Sequence, residues 1–331
     1  VSVPAGLRTG LNPYGLTWHL GLQGRGTPRA NPRPAGLDGF VAIAERIGAE
    51  VIEIHHGWLA EERVDRAALR ARLEARSLTP VIAASLPHGP IEPAIADAAA
   101  LGATTVRLGL STTLCGDRAI HPDWPGLVSS IAAELRRLAP IAAAAGVHLA
   151  IENHQDFTSA ELMAFCEGAG ESVGIVMDTG NAWPVGEEPL AFARAILARI
   201  RHVHLKDYRV KATDDGFLLV RCAIGDGAAP LGEIVPLLLG CGRPLTASLE
   251  PGALEARHVR LLTPGWWRGY PPRPAEALAA CLHSLRRNRI AEDEDHRTPW
   301  ERGAPGAEIE AYELDMIERS AAAMRRAGLM R

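Results

Sequence analysis

What most constrains this chain is a repeated phrase: a short, β-branched apolar run, a stretch with helical periodicity, then another such run. Val51 to His55, Pro80 to Ser85 and Thr105 to Leu110 are too short and too β-branched for helices, and helical patterns from Asp65 to Arg76 and Glu92 to Leu101 separate them. The phrase continues with runs ending at Glu152, Asp178, His204 and Glu250. Helices are predicted before them over Leu127 to Ala145, from a Thr158 or Ser159 cap to Gly168, over Pro189 to Arg199 and over Leu231 to Leu239. With Tyr14 to Trp18 as the first strand, the count reaches eight. Alternation this regular argues for a parallel sheet.

Eight parallel strands alternating with helices close into a barrel, and a closed barrel leaves no edge to protect. The expected fold is therefore α/β, a (β/α)8 TIM barrel with a C-terminal extension. An open doubly wound sheet is the runner-up, but no Gly-x-Gly-x-x-Gly turn opens the first helix, which is expected near Leu37 with Asp38 as a plausible N-cap. The chain has 331 residues, and a barrel of this kind takes about 250 plus insertions. We assign residues 1–290 to the barrel and 291–331 to a tail. In that tail Ala307 to Gly328 reads as a helix with Ile309, Tyr312, Leu314, Met316 and Ile317 as its buried stripe, packing on the barrel or on a partner subunit in a homo-oligomer. Pro274 to Arg287 supplies the closing helix.

Apolar residues make up 47% of the chain against 22% charged, enough for a large core. A net charge of -4 gives no general attraction to phosphate backbones, so nucleic acid is a poor partner. Five scattered cysteines without a Cys-x-x-Cys pair fit a reducing compartment. No apolar run approaches the roughly 20 residues of a membrane span, and Val1 to Asn12 lacks the build of a secretory signal. The expectation is a soluble, cytoplasmic protein.

Glu152, Asp178, His204 and Glu250 each fall where a parallel strand ends, the edge at which function collects in such folds. A single acid there is most often a cap or a surface charge. Four metal-ligand types at one edge are different, because gathered carboxylates repel without a cation. Three carboxylates and one imidazole suit one divalent ion, manganese or magnesium first, zinc or cobalt as alternatives, and leave room for two substrate oxygens. Bound to a neighbouring carbonyl and hydroxyl, such an ion acidifies the adjacent carbon-bound proton and favours an enediolate. Glu152 and Glu250 are the carboxylates placed to move that proton.

Ile151-Glu152-Asn153, Met177-Asp178-Thr179-Gly180-Asn181, His202-Val203-His204-Leu205-Lys206-Asp207, Gly225-Asp226-Gly227 and Ser248-Leu249-Glu250-Pro251 resemble the xylose-isomerase-like superfamily of sugar isomerases and epimerases. The resemblance runs from about Tyr14 to Arg287 and implies that Glu152, Asp178, His204 and Glu250 bind one metal while the two glutamates exchange the proton. It implies a metal-dependent isomerase or epimerase acting on a small polyhydroxylated keto sugar or sugar acid. The alternative is a lyase using the same enediolate chemistry, either a 3-oxo sugar acid decarboxylase or a deglycosidase of 3-oxo-C-glycosides. Abasic-site endonucleases of this superfamily have a histidine where Asn181 stands and an Asp-x-His pair that Ala212 to Gly227 lacks, so a three-metal nuclease is the least favoured reading. Epimerases, too, place a histidine on substrate hydroxyls where this chain has Asn181, so the resemblance implies Asn181 as a candidate substrate contact.

Other residues have two readings each. His154 shares strand parity with Glu152 and is a base or substrate contact, or a loop histidine on a carbonyl. Lys206 shares parity with His204 and holds a substrate oxygen, or neutralises Asp207 or a metal ligand. Glu53, His55 and Arg107 reach the barrel mouth or fill a polar layer. Trp18 and the Trp266-Trp267 pair wall the site or belong to the core. His88 is a further candidate ligand.

Overall fold

The computed structural model describes residues 6–330; the part of the leader reading that rests on Val1 to Ala5, and the last tail residue Arg331, lie outside the described residues. The strands are β1 Leu7–Leu11, β2 Val51–His55, β3 Thr79–Ser85, β4 Thr105–Gly109, β5 His148–Glu152, β6 Val173–Asp178, β7 Ile200–Leu205, β8 Tyr208–Thr213, β9 Gly216–Arg221, β10 Leu245–Leu249 and β11 Arg257–Val259. The helices are α1 Gly36–Arg46, α2 His56–Glu61, α3 Arg66–Ala75, α4 Glu92–Leu101, α5 Trp124–Ala144, α6 Ser159–Ala169, α7 Pro189–Ile196, α8 Leu231–Leu239, α9 Ala275–Ser284 and α10 Gly306–Arg326. β1 to β7 and β10 form a closed parallel barrel, with β1 pairing β10 along Leu7–Leu11 and β2 at Gly10 and Leu11. Because helices cover the outside and side chains fill the inside, both faces of most strands are buried, which is why these runs are largely apolar.

The first strand is Leu7–Leu11, and the expected strand Tyr14 to Trp18 is corrected. Pro13 at the start of a single 3-10 turn has its φ preset for helix, and the Asn12 side chain accepts a 2.7 Å bond from the Tyr14 N–H. Gly10 makes the strand possible, since a Cβ there would lie 1.7 Å from the carbonyl oxygen of Val51. Asp38 is likewise not a cap: α1 starts two residues earlier, and Glu62 accepts the N–H of Leu37. Thr158 does cap α6, in a reciprocal box with Glu161.

A second sheet, absent from the sequence reading, sits beyond the barrel. β8 and β9 form a hairpin turning at Asp214 and Asp215, and β11 joins β9 antiparallel. Val210, Phe217, Leu219 and Val259 pack there with Trp183, Trp266, Cys281 and Leu285 in a small core. α10 packs on the turn Pro13–Leu16 and on β10 of its own barrel. Ile309, Met316 and Ile317 are buried as expected, Tyr312 and Leu314 only half-buried. No helix among the described residues is long and apolar enough to cross a membrane.

Candidate active site

Glu152 ends β5, Asp178 ends β6, His204 lies one residue from the end of β7, and Glu250 follows β10 directly. Register places Asp178 beside His204 and Ser248 beside His204, so the four side chains meet over one end of the barrel. Each offers a ligand atom within 4.8 Å of the others, and all four are buried. Backbone bonds hold the strand ends in place. The Asn153 side chain accepts the Asp178 N–H at 2.6 Å and donates to its carbonyl at 3.0 Å, while Asp178 Oδ1 accepts the Gly180 N–H at 2.9 Å.

The imidazole of His204 is the hub. Its Nδ1 lies 2.8 Å from Glu250 Oε2, 3.2 Å from Glu152 Oε1 and 4.0 Å from Asp178 Oδ2. Its Nε2 lies 2.8 Å from Glu53 Oε2. Burial opposes a charged ring, but Glu53, then Glu250 and Glu152, outweigh it and raise the His204 pKa well above its ordinary value. Two cations sit around the acids. Arg107 Nη2 is 2.7 Å from Glu152 Oε2, and Lys206 Nζ is 2.5 Å from Asp178 Oδ2 and 2.7 Å from Glu250 Oε1.

These contacts leave the acids incompletely satisfied. Glu152 Oε2, Asp178 Oδ2 and Glu250 Oε2 are buried with no properly directed hydrogen bond. Buried oxygens of that kind carry a desolvation cost that a hard or borderline divalent ion removes. The quartet is a possible metal site, and its donor set fits such an ion. Glu53, His202 and His204 also lie close together. His202, however, has its ring nitrogens against Thr246 Oγ1 at 2.7 Å and Ser248 Oγ at 3.1 Å, so this group supports the quartet.

A cavity of about 270 Å³ opens above, lined by Tyr14, His55, Ser85, His88, Arg107, His154, Lys206, Tyr208, Glu250 and Arg257 among others. The predicted contacts His154 and Lys206 reach it. Burial first, with Arg107 and Lys206 opposing the attraction of Glu152, lowers the His154 pKa to about 4, leaving a neutral imidazole. His88 stands exposed at the cavity wall, outside the quartet. His55 caps α2 by accepting the Gly57 N–H.

Three expectations are displaced. Trp18 is not in the cavity: its Nε1 donates to the Arg29 carbonyl, and its ring packs with Leu254, Trp300 and Ile309, because the turn at Pro13 aims it at the C-terminal extension. Asn181 is buried beside the cavity, where its Oδ1 accepts from Gln155, and does not line it. Trp266 stacks on Tyr270 and lines a neighbouring hollow of about 630 Å³, while Trp267 meets both rings edge-on. Arg257 and Tyr208 were missed altogether because they belong to the unread second sheet. Glu53 and Arg107 had a usable signal, a charge in the middle of an otherwise apolar strand.

Comparison with known proteins agrees with this architecture. Inosose dehydratase 2 of Bacillus cereus is 35% identical over 119 residues, 31% of this chain and 40% of that protein, so the match spans well under two-thirds of the relative. Among solved structures, D-psicose 3-epimerase in the presence of D-fructose superposes with a TM-score of 0.56 at 16% identity over 87% of this chain and 93% of the other. The IolI protein with a bound zinc atom gives 0.53 at 16% identity over 85% and 96%. At such identities the likeness speaks for the fold. The model of the xylose isomerase-like TIM barrel matches residues 41–255, more than half of the chain, and the chain belongs to that family.

Proposed function

We propose that this chain is a divalent-metal-dependent enzyme that removes a carbon-bound proton beside the carbonyl of a sugar-like or cyclitol-like keto substrate, and that it goes on to eliminate water as a lyase. The observation that carries the choice of elimination is the unequal placement of the two glutamates. Glu250 lines the cavity, while Glu152 is sealed at 0% exposure beneath Arg107. Epimerisation by two carriers needs one on each face of the carbon. Elimination needs only one.

Glu152, Asp178, His204 and Glu250 would hold the ion. When bound, a divalent ion supplies Lewis acidity to a carbonyl and its neighbouring hydroxyl. The remaining work falls to the chain's own groups. Glu250 takes the proton from carbon, and Lys206, 2.7 Å from its Oε1, keeps the carboxylate ionised beforehand. The C–H pair becomes the new double bond, the C–O bond breaks, and the proton on Glu250 leaves with the departing hydroxyl as water. Neutral His154 and the phenol of Tyr208 are placed to hold other substrate oxygens. The partial match to inosose dehydratase points the same way. The nuclease reading lacks both the histidines it requires and a net basic charge.

The test is incubation of manganese-loaded protein with scyllo-inosose and, separately, D-fructose in deuterated water. Dehydration of the inosose, followed by absorbance of the enone, is expected, with Glu250→Gln slower by at least about 10². Deuterium entering recovered fructose, with no dehydration of either compound, would establish the epimerase instead.

A further inference from the structure

The cavity contains one cation that nothing balances. Arg257, on β11, lines it half-buried, and among the described residues its guanidinium has neither a hydrogen bond nor an ion pair. Every other charged group nearby is matched. Arg107 faces Glu152 and Glu53, Lys206 faces Asp178 and Glu250, and Arg260 shares Asp215 with His258. Among the described residues the only carboxylate in the cavity wall is Glu250, already held by Lys206. Four buried acids, Glu53, Glu152, Asp178 and Glu250, would be offset by Arg107, Lys206 and the one divalent ion the quartet would hold, and Arg257 stands in excess of that sum.

A guanidinium presents a rigid fork of donors that matches carboxylate or phosphate oxygens two at a time, and a partly desolvated one is costly to leave without a partner. We infer that the substrate carries an anionic group, a carboxylate or a phosphate, and that Arg257 binds it. The substrate class is then a keto sugar acid or sugar phosphate. This rests on the metal-dependent lyase reading for the identity of the site and adds to it the charge of what enters. Arg257 pairs through its backbone with Leu219 of β9, so its side chain is free to act without holding the sheet together.

The experiment compares three matched probes, D-glucitol, D-gluconate and D-glucitol 6-phosphate, by calorimetric titration into manganese-loaded protein freed of excess ion, and into the Arg257→Gln and Arg257→Lys variants. At least one anion is expected to bind ten-fold or more tighter than glucitol, with that preference lost in Arg257→Gln and partly kept in Arg257→Lys, while glucitol is unaffected. Which anion wins separates carboxylate from phosphate. Equal binding of all three, no binding of any at millimolar concentration, or a preference that survives Arg257→Gln would overturn the inference. The two readings fail separately: metal-dependent elimination in a protein that shows no anion preference removable by Arg257→Gln sinks the anion while the lyase stands. An anion preference without metal-dependent elimination from any substrate sinks the lyase alone.

Discussion

The carboxylate of Glu53 lies 2.8 Å from Nε2 of His204, so the imidazole is gripped on one nitrogen while the other faces Glu152, Asp178 and Glu250. Burial raises the Glu53 pKa, but His204, His202 and Arg107 together bring it far below the usual carboxylate range, so Glu53 is an anion. Such a partner fixes the ring and strengthens its basicity as a ligand. Glu53→Gln keeps the shape and removes the charge. Metal affinity is expected to fall about 10- to 100-fold, as read by competition with a fluorescent chelator; an unchanged affinity would mean that the ring is oriented by something else.

Lys206 stands between Asp178 and Glu250, both buried. Removing one member of a buried ionic group leaves the others uncompensated, at a cost of about 3–5 kcal/mol. Lys206→Met should therefore lower the stability of metal-free protein in urea by that order. Added manganese, which binds the folded state alone, should recover most of the loss. A loss of the same size with and without metal would show that Lys206 serves the fold in another way.

Glu313 of α10 is fully buried and accepts the N–H groups of Trp18 at 3.0 Å and His19 at 2.8 Å and the hydroxyl of Thr17 at 3.2 Å. Thr17 lines the cavity. Glu313→Ala strands these donors and is expected to destabilise by about 1–3 kcal/mol, and to raise KM more than it lowers kcat. Wild-type KM in the variant would separate the C-terminal helix from the site.

Asp156 is buried, and burial pushes its pKa up to about 7 against bonds donated by Ser111 Oγ and the Phe157 N–H. The folded state therefore holds a proton that the unfolded chain releases near pH 3.9. The stability from that proton is full below the unfolded value and is lost as pH rises to about 7. Asp156→Asn copies the protonated form. Its melting temperature relative to wild type should be higher at pH 8 than at pH 5, and a constant difference would contradict the assignment.

Most of the barrel was legible because seven of its strands are short, mostly apolar runs buried on both faces, a signal that survives without neighbours. The first was not. Leu7-Arg8-Thr9-Gly10-Leu11 is extended because β10 and β2 flank it, and nothing in those five residues alone demands a strand. The hairpin β8–β9 did carry a cue, the alternating Tyr208-Arg209-Val210-Lys211 before Asp214-Asp215-Gly216, but it fell between two strands already assigned. The quartet was readable from residue type and strand ends. Its supports were visible only as charges within apolar strands, and their partners were not, since Glu53 meets His204 across the barrel interior from a strand 151 residues away, a pairing that only closure of the sheet creates. Trp18 was misplaced for a local reason: the run from Tyr14 was read as a strand ending at the barrel mouth, and Pro13 starts a turn there instead.

The small sheet of β8, β9 and β11 has a consequence for how such a protein changes over time. The barrel supplies the acids and the histidine, whereas Tyr208 and Arg257 hang over the cavity from a separate piece of chain that shares no strand with it. On the proposed reading, part of the choice of reactant is thus written in a different stretch from the reaction. A lineage can exchange the roof, and with it the compounds admitted, while the floor goes on doing the same chemistry.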